Sequence, residues 1–277
     1  MTALPDLSTL DRVASAIERW LAGAGATPLV VGLCGSQGSG KSTLAERLVD
    51  RLAVTGRRTA ILSLDDLYLS GEARAALARD VHPLLRTRGV PLTHDVTLGL
   101  QLIADMRAGR AIRMPRFDKA SDEPAPQDQW TIMAPPVDVI LFEGWCVGAR
   151  PQSDAALIHP VNALEVTQDQ DGRWRRAVNS ALGERYAALF ATLDRLVLLA
   201  APDFAVVQRW RLEQEDALRQ RIVQDGGSMS GLMDGPAITH FIQHYERLTR
   251  SILSEMPARA DLVVQLDANR QPITPSQ

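Results

Sequence analysis

Five stretches of this chain are apolar at most positions with little regard for alternation. They are Leu29-Val30-Val31-Gly32-Leu33, Thr59–Leu64, Val137–Phe142, Arg195–Ala200 and Leu262–Leu266. Runs this short and this apolar read as strands covered on both faces. Between them the spacing turns helical. Leu7, Leu10, Ala14, Ile17 and Leu21 trace one face of an N-terminal helix that stops near Gly23-Ala24-Gly25. Leu44, Leu48 and Leu52 recur every fourth residue, the mark of a buried helix face. Val96–Ala108, Trp174–Phe190, Asp203–Gln224 and Pro236–Ser254 are the remaining predicted helices, with Asp203 a candidate cap. Ala111–Met114 reads as a short strand, and residues 118–136 as a long polar surface loop. Gly71–Thr93 has mixed character, and Gly226–Gly235 reads as flexible.

Apolar strands alternating with helices predict an α/β domain whose mostly parallel sheet carries helices on both faces. One domain over 1–277 is expected, with an N-terminal helix within 1–25 and a helical lid over about 203–235. Ligands of such sheets bind beyond the carboxyl ends of the strands. Polar residues that follow strands are therefore the first candidates for chemistry.

The strongest is Gly35-Ser36-Gln37-Gly38-Ser39-Gly40-Lys41-Ser42, which fits G-x-x-x-x-G-K-[ST] between a strand and a helix. Its glycines let several backbone N–H groups face one anion. Lys41 adds a charge that reaches the outer phosphates, and the Ser42 hydroxyl suits Mg²⁺. Gly35 to Ser42, with Thr43, are the expected nucleotide contacts. Glu143 follows the Val137–Phe142 strand and suits the same metal, directly or through water.

Asp65 and Asp66 follow another strand. Neighbouring strand-end residues point to opposite faces, so Asp65 is taken as the base for an attacking hydroxyl and Asp66 as support on the acceptor side. A base implies an acceptor other than bulk water. Arg116 and Lys119, with Arg88, His94 and Asp95, are candidates to bind it, and the cations suit a carboxylate or phosphate. Arg209 and Arg211 lie two apart on one helix and cannot share a face. Only one can reach the transferring phosphoryl group, and Arg211 is the candidate for that catalytic role beside Lys41 and Asp65. Asp267–Arg270 is a weaker candidate for the nucleotide base.

Composition narrows the partners. A net charge of −3 without a basic run gives no support to a nucleic-acid partner. No apolar run is long enough for a membrane span. Two cysteines, Cys34 and Cys146, suggest a reduced, cytoplasmic protein rather than a disulfide scaffold. His240 and His244 are four apart but lack the glutamate of a zinc-protease helix. No Asn-Lys-x-Asp guanine-reading string occurs. The expected partner is a small-molecule substrate, and the oligomeric state is left open.

The phosphate loop, Ser63-Leu64-Asp65-Asp66-Leu67-Tyr68-Leu69 and Phe142-Glu143-Gly144 resemble the uridine kinase, phosphoribulokinase and pantothenate kinase group. Further strings sharpen the likeness toward the D-glycerate 3-kinase family. These are Arg88–Asp95, Pro115-Arg116-Phe117-Asp118-Lys119, Glu143–Gly148, Val178-Asn179 with Leu182 and Tyr186, and Trp210-Arg211 with Gln214-Glu215. The resemblance implies a P-loop fold with about five parallel strands, and ATP- and Mg²⁺-dependent phosphorylation of D-glycerate to 3-phosphoglycerate. It makes Asp65 the catalytic aspartate and Glu143 the magnesium-associated acid. It also puts Arg88, His94, Arg116 and Lys119 at the acceptor. The chain departs from the family at Leu67, where phenylalanine is usual, and at Ala120–Pro124, where a glycine-rich basic stretch is usual. Two alternatives stand beside this reading: a kinase of a nucleoside, pantothenate or a sugar phosphate on the same fold, and an ATP-binding regulatory protein.

Overall fold

The computed structural model describes residues 8–23, 28–224 and 234–273. Helix α1 (Thr9–Gly23) leads into strand β1 (Leu29–Gly35), every residue of which is buried. Helix α2 (Lys41–Ala53) presents buried Leu44, Ala45, Leu48 and Leu52 and packs against the sheet. Strand β2 (Thr59–Ser63) ends in a 3-10 turn, Leu64–Leu67, so Asp65 and Asp66 sit in that turn rather than on the strand.

The mixed segment after it contains helix α3 (Gly71–Asp80) and a 3-10 turn, Pro83–Arg86. No apolar stripe announces α3. Buried Arg74 holds it instead, donating to the Leu69 and Arg86 carbonyls and to Asp122. Helix α4 (Val96–Arg107) follows. The expected long loop is partly built. Strands β3 (Ile112–Met114) and β6 (Thr131–Met133) pair antiparallel, and so do β4 (Phe117–Asp118) and β5 (Glu123–Pro124) between them.

Strand β7 (Val139–Gly144) is wholly buried. Helix α5 (Ala163–Gln168) lies in a stretch the apolar spacing did not mark. The predicted Trp174–Phe190 helix is two, α6 (Arg173–Gly183) and α7 (Arg185–Phe190), with the break at Glu184. Strand β8 (Arg195–Ala200), helix α8 (Phe204–Gln224), helix α9 (Gly235–Glu255) and strand β9 (Leu262–Gln265) complete the chain. Asp203 accepts the Val206 N–H and starts α8 as expected. The outer part of the expected lid, residues 225–233, lies outside the described residues.

The five predicted strands form one sheet in the order β2-β7-β1-β8-β9; the inner three are almost wholly buried, whereas the edge strands β2 and β9 are only half-buried, contrary to the expectation of cover on both faces. Every neighbouring pair is parallel. One hydrophobic core runs from Val13 to Leu266. Parallel register brings the strand ends Gly35, Ser63 and Gly144 to one edge, since Cys34 pairs with Gly144 and Ser63 with Glu143. That shared edge is where the candidate site lies.

Candidate active site

Between β1 and α2 the chain makes a tight turn that only glycine accommodates twice. Gly38 and Gly40 have φ of 75° and 86°. At Gly38 a side chain would also collide with α8, because a Cβ there would lie 2.6 Å from Trp210 Cβ. The turn leaves Ser36 Oγ, Ser39 Oγ and Gln37 Oε1 buried without a hydrogen-bond partner. Buried polar groups are almost always paired, so a cluster of unpaired ones marks a place prepared for a ligand. Hydroxyl donors beside the positive end of α2 suit an anion.

Glu143 enters from the end of β7 and is 5% exposed. Its Oε1 accepts two hydroxyl hydrogen bonds, from Ser63 at 2.7 Å and Ser42 at 3.2 Å. Its Oε2 has no hydrogen-bond partner and lies 4.0 Å from Lys41 Nζ. A carboxylate oxygen left open beside a serine hydroxyl is a hard-oxygen donor pair of the kind Mg²⁺ takes. The residues present therefore fit that ion.

Asp65 faces the same edge. It accepts a hydrogen bond from Tyr68 OH at 2.9 Å and forms an ion pair with Lys119 at 2.8 Å. Burial pushes its carboxyl up, but the charges of Lys119 and Lys41 and the two hydrogen bonds outweigh it. The group is held below the usual carboxylate range. It is thus ionised, and its basicity would rise if Lys119 were drawn off it.

Part of the loop and Asp65 with its partners line one cavity of about 370 Å³, with Glu143 just behind Lys41 and Ser42. Gln37, Gly38, Lys41 and Ser42 form one side, and Asp65, Tyr68, Arg88 and Lys119 another. Arg211, Gln214 and Glu215 of α8 and Phe241 and Tyr245 of α9 close it, with Trp145 from the segment after β7. Arg211 pairs with buried Glu215 at 2.8 Å and sits 5.8 Å from the Phe241 ring centre. Arg88 lies over the Phe117 ring at 5.6 Å and pairs with Asp122 at the tip of the β4–β5 hairpin. At Gly89, φ is 137°, and a Cβ there would run into the Tyr245 hydroxyl. A second cavity of about 520 Å³ opens on the far side of the phosphate loop, between Ser8–Leu10, Thr43 and Arg47 of the first two helices and Arg270–Pro272.

Of the expected site residues, Gln37, Gly38, Lys41, Ser42, Asp65, Arg88, Lys119 and Arg211 meet in the first cavity, with Glu143 against Lys41 and Ser42. Ser39, Gly40 and Thr43 line the second cavity. Gly35 and Ser36 lie buried at the base of the loop and line neither cavity, and four acceptor-side candidates do not line the cleft. Asp66 turns away to accept the Phe117 N–H at 2.9 Å, which ties the β2 turn to the hairpin. Its carboxyl is pushed up by burial. Asp95 caps α4 by accepting the Leu98 N–H at 2.9 Å. Arg116 is exposed outside the cavity. His94 is buried behind Tyr68, stacked on its ring at 4.5 Å, with Nδ1 2.6 Å from Tyr186 OH. Burial lowers its pKa to about 3, so it is a neutral support for Tyr68. The aromatic walls Trp145, Phe241 and Tyr245 and the second hydroxyl on Glu143, from Ser63, escaped the sequence reading. Trp145 had a local signal, two residues after Glu143; the α9 residues had none.

The parallel sheet and the glycine turn between β1 and α2 define a P-loop kinase. The chain belongs to the phosphoribulokinase/uridine kinase family. A sequence model of that family matches residues 30–155. The chain is 31% identical over 266 residues to the uncharacterized kinase mug58 of Schizosaccharomyces pombe, covering 89% of this chain and 90% of that protein. It is 29% identical over 279 residues to the chloroplastic D-glycerate 3-kinase of Arabidopsis thaliana. That match takes in 95% of this chain but only 58% of the plant protein. Among solved structures, a D-glycerate 3-kinase from Cryptococcus neoformans superposes with a TM-score of 0.75 at 25% identity, covering 96% of this chain and 97% of that one. The likeness to D-glycerate 3-kinases expected from the strings around Asp65, Glu143 and Trp210 is thus met in sequence and in fold.

Proposed function

We propose that this protein transfers the γ-phosphoryl group of ATP to the hydroxyl of a small hydroxy acid, with D-glycerate the acceptor and 3-phosphoglycerate the product. The observation that carries the reading is the meeting, in one cavity, of the phosphate loop, a depressed carboxylate, two cations on the acceptor side, Arg88 and Lys119, and Arg211 from α8. The relatives named as D-glycerate 3-kinases supply the choice of acid.

Phosphoryl transfer asks little covalent chemistry of a protein; positioning and charge neutralisation do most of the work. The loop N–H groups with Ser36 and Ser39 hold the phosphates, and Lys41 reaches the outer ones. Ser42 and Glu143 would hold Mg²⁺, which supplies charge neutralisation on the phosphate oxygens. The acceptor carboxylate takes Lys119 from Asp65 and engages Arg88. Asp65 then accepts the proton of the attacking hydroxyl. The new oxygen–phosphorus bond forms as the bond to the bridging oxygen breaks, and ADP leaves. Arg211 steadies charge on the group in flight. The second cavity suits the nucleoside, with Arg270 at its edge.

The same reading takes 1–277 as one kinase domain working in the cytoplasm. Two buried, unpaired thiols, Cys34 and Cys146, fit a reducing compartment. Among the described residues no helix is long and apolar enough to cross a membrane.

ADP release measured over D-glycerate, L-glycerate, uridine, pantothenate and a sugar phosphate tests the proposal. D-Glycerate should give the highest kcat/KM by at least about tenfold. Turnover on another acceptor without response to D-glycerate removes the glycerate assignment. No turnover on any of them removes the kinase itself.

A further inference from the structure

Arg270 stands at the edge of the cavity assigned to the nucleoside, away from the transfer cleft, and it joins three elements of the site. It lies in the turn after β9, with a left-handed φ of 66° that an arginine seldom adopts. Its Nε donates to the Gly38 carbonyl of the phosphate loop at 2.6 Å. Its Nη2 pairs with Glu213 of α8 at 2.6 Å. Its guanidinium lies 5.2 Å from the ring centre of Trp210, on the same helix.

Trp210 completes the joint. It is fully buried, and its indole N–H donates to the Ala268 carbonyl at 2.9 Å. Its backbone oxygen would lie 3.1 Å from a Cβ at Gly38, so α8 rests directly on the phosphate loop. Arg209 donates to the same Ala268 carbonyl at 2.6 Å. Phosphate loop, α8 and the C-terminal turn are therefore interlocked at this one point.

The next residue on α8 is Arg211, which lines the cleft. Consecutive helical residues diverge by about 100°, so the face that rests on Gly38 fixes where Arg211 points. A small rotation of α8 would carry that guanidinium away from the transferring group. We propose that Arg270 is a positioning residue: it ties the phosphate loop to α8 and thereby holds Arg211 in the transfer cleft. The proposal rests on the kinase reading for Arg211 and names a residue outside the cleft through which that role is set. It also makes the first turns of α8 a fixed platform rather than a free flap.

A double-mutant cycle tests it, with R270A, R211A and the pair assayed on the full chain for kcat and for both KM values. R270A should lower kcat about ten- to a hundredfold, the scale of a catalytic group displaced by an ångström. In the R211A background the same change should cost less than about twofold, because its effect passes through Arg211. R270K and E213Q should fall between wild type and R270A, and they keep the test open if R270A folds poorly. Amide exchange over 204–217 should quicken in R270A without any acceptor present, which separates this test from the choice of acid. Multiplicative losses in the double mutant overturn the proposal. So does a full rate in R211A, or an R270A that loses thermal stability while keeping kcat.

Discussion

Two sets of buried polar side chains among the described residues are finished to different degrees. Around α5 and α6, Glu165 is wholly buried, and each of its carboxylate oxygens meets an Arg247 nitrogen at 2.7 Å. Arg247 also donates to the Ala156 and His159 carbonyls. Nearby, Asp169 accepts from the Trp174 and Arg175 backbone N–H groups and from the Arg175 guanidinium. Arg175 donates further to the Leu157 and Asp169 carbonyls. At the phosphate loop the pattern is the reverse. Glu143 Oε2, Ser36 Oγ, Ser39 Oγ and Gln37 Oε1 are buried without a hydrogen-bond partner, Glu143 having only the 4.0 Å approach of Lys41 on that oxygen. Buried charges cost much unless paired and hydrogen-bonded, so the first group is complete as it stands. The second is complete only with a ligand. Single buried atoms without a hydrogen-bond partner occur elsewhere too, such as Trp174 Nε1 and Thr249 Oγ1; what marks the phosphate loop is that four of them cluster there. His82, Asp169 and Asp171 come close enough to hold a cation, but Asp169 is already engaged by these donors.

The comparison breaks most sharply at Asp65. D65N should lower kcat by about a hundred- to ten-thousandfold, the usual contribution of a positioned general base. ATP affinity, read by calorimetry, should stay within a few-fold of wild type. Unchanged turnover would take the base away from Asp65 and with it the functional half of the contrast.

The finished group predicts the opposite behaviour. E165A leaves the Arg247 guanidinium uncompensated and should cost about 3–5 kcal/mol of stability by urea unfolding. Turnover per folded molecule should not change. Equal losses of activity and stability would mean that the two groups are one network.

These contrasts were only partly legible in the sequence. The three inner strands could be read because a strand covered on both faces is apolar nearly throughout, as β1 is, and the edge strands β2 and β9 because most of their residues are still apolar. The phosphate loop could be read because its glycines and Lys41 are local. Helix α3 could not, since its anchor is Arg74 reaching Asp122 forty-eight residues on, and no periodicity records that pairing. Asp65, Asp66 and Asp95 are alike as letters, and what tells a cleft carboxylate from a strut and a helix cap is which N–H or hydroxyl each one meets. The aromatic wall of Phe241 and Tyr245 arrives from α9, far along the chain, and only packing brings it to Asp65.

Opening the comparison from the ligand side gives a smaller effect. E143Q keeps an acceptor for the Ser42 and Ser63 hydroxyls but removes the charge. It should weaken the Mg²⁺ dependence of turnover about ten- to a hundredfold, as loss of a metal-supporting group does. Its unfolding midpoint should match wild type or rise, because an uncompleted carboxylate adds strain rather than support. A marked fall in stability with the magnesium response intact would move Glu143 into the finished group.

The smallest effect is a shift along the pH axis. Lys119 is the strongest of the charges that hold Asp65 below the usual carboxylate range, and burial alone would raise it. A depressed folded pKa contributes stability that is fully present above the unfolded value of about 3.9 and is lost as pH falls through the folded value. For wild type that loss lies below the ordinary carboxylate range, so Asp65 stays ionised wherever the enzyme is folded and active. K119M removes the largest stabilising charge and leaves the burial. The acid limb of kcat/KM, which reports the free enzyme in which Lys119 still rests on Asp65, should therefore move upward, while its plateau falls with the lost acceptor contact. The finished group offers no such handle, because no lysine there rests on an open carboxylate. A K119M profile that overlays the wild type would show that another group sets the acid limb, and the ion pair with Asp65 would then be a surface contact worth about 0–1 kcal/mol rather than a tuning device.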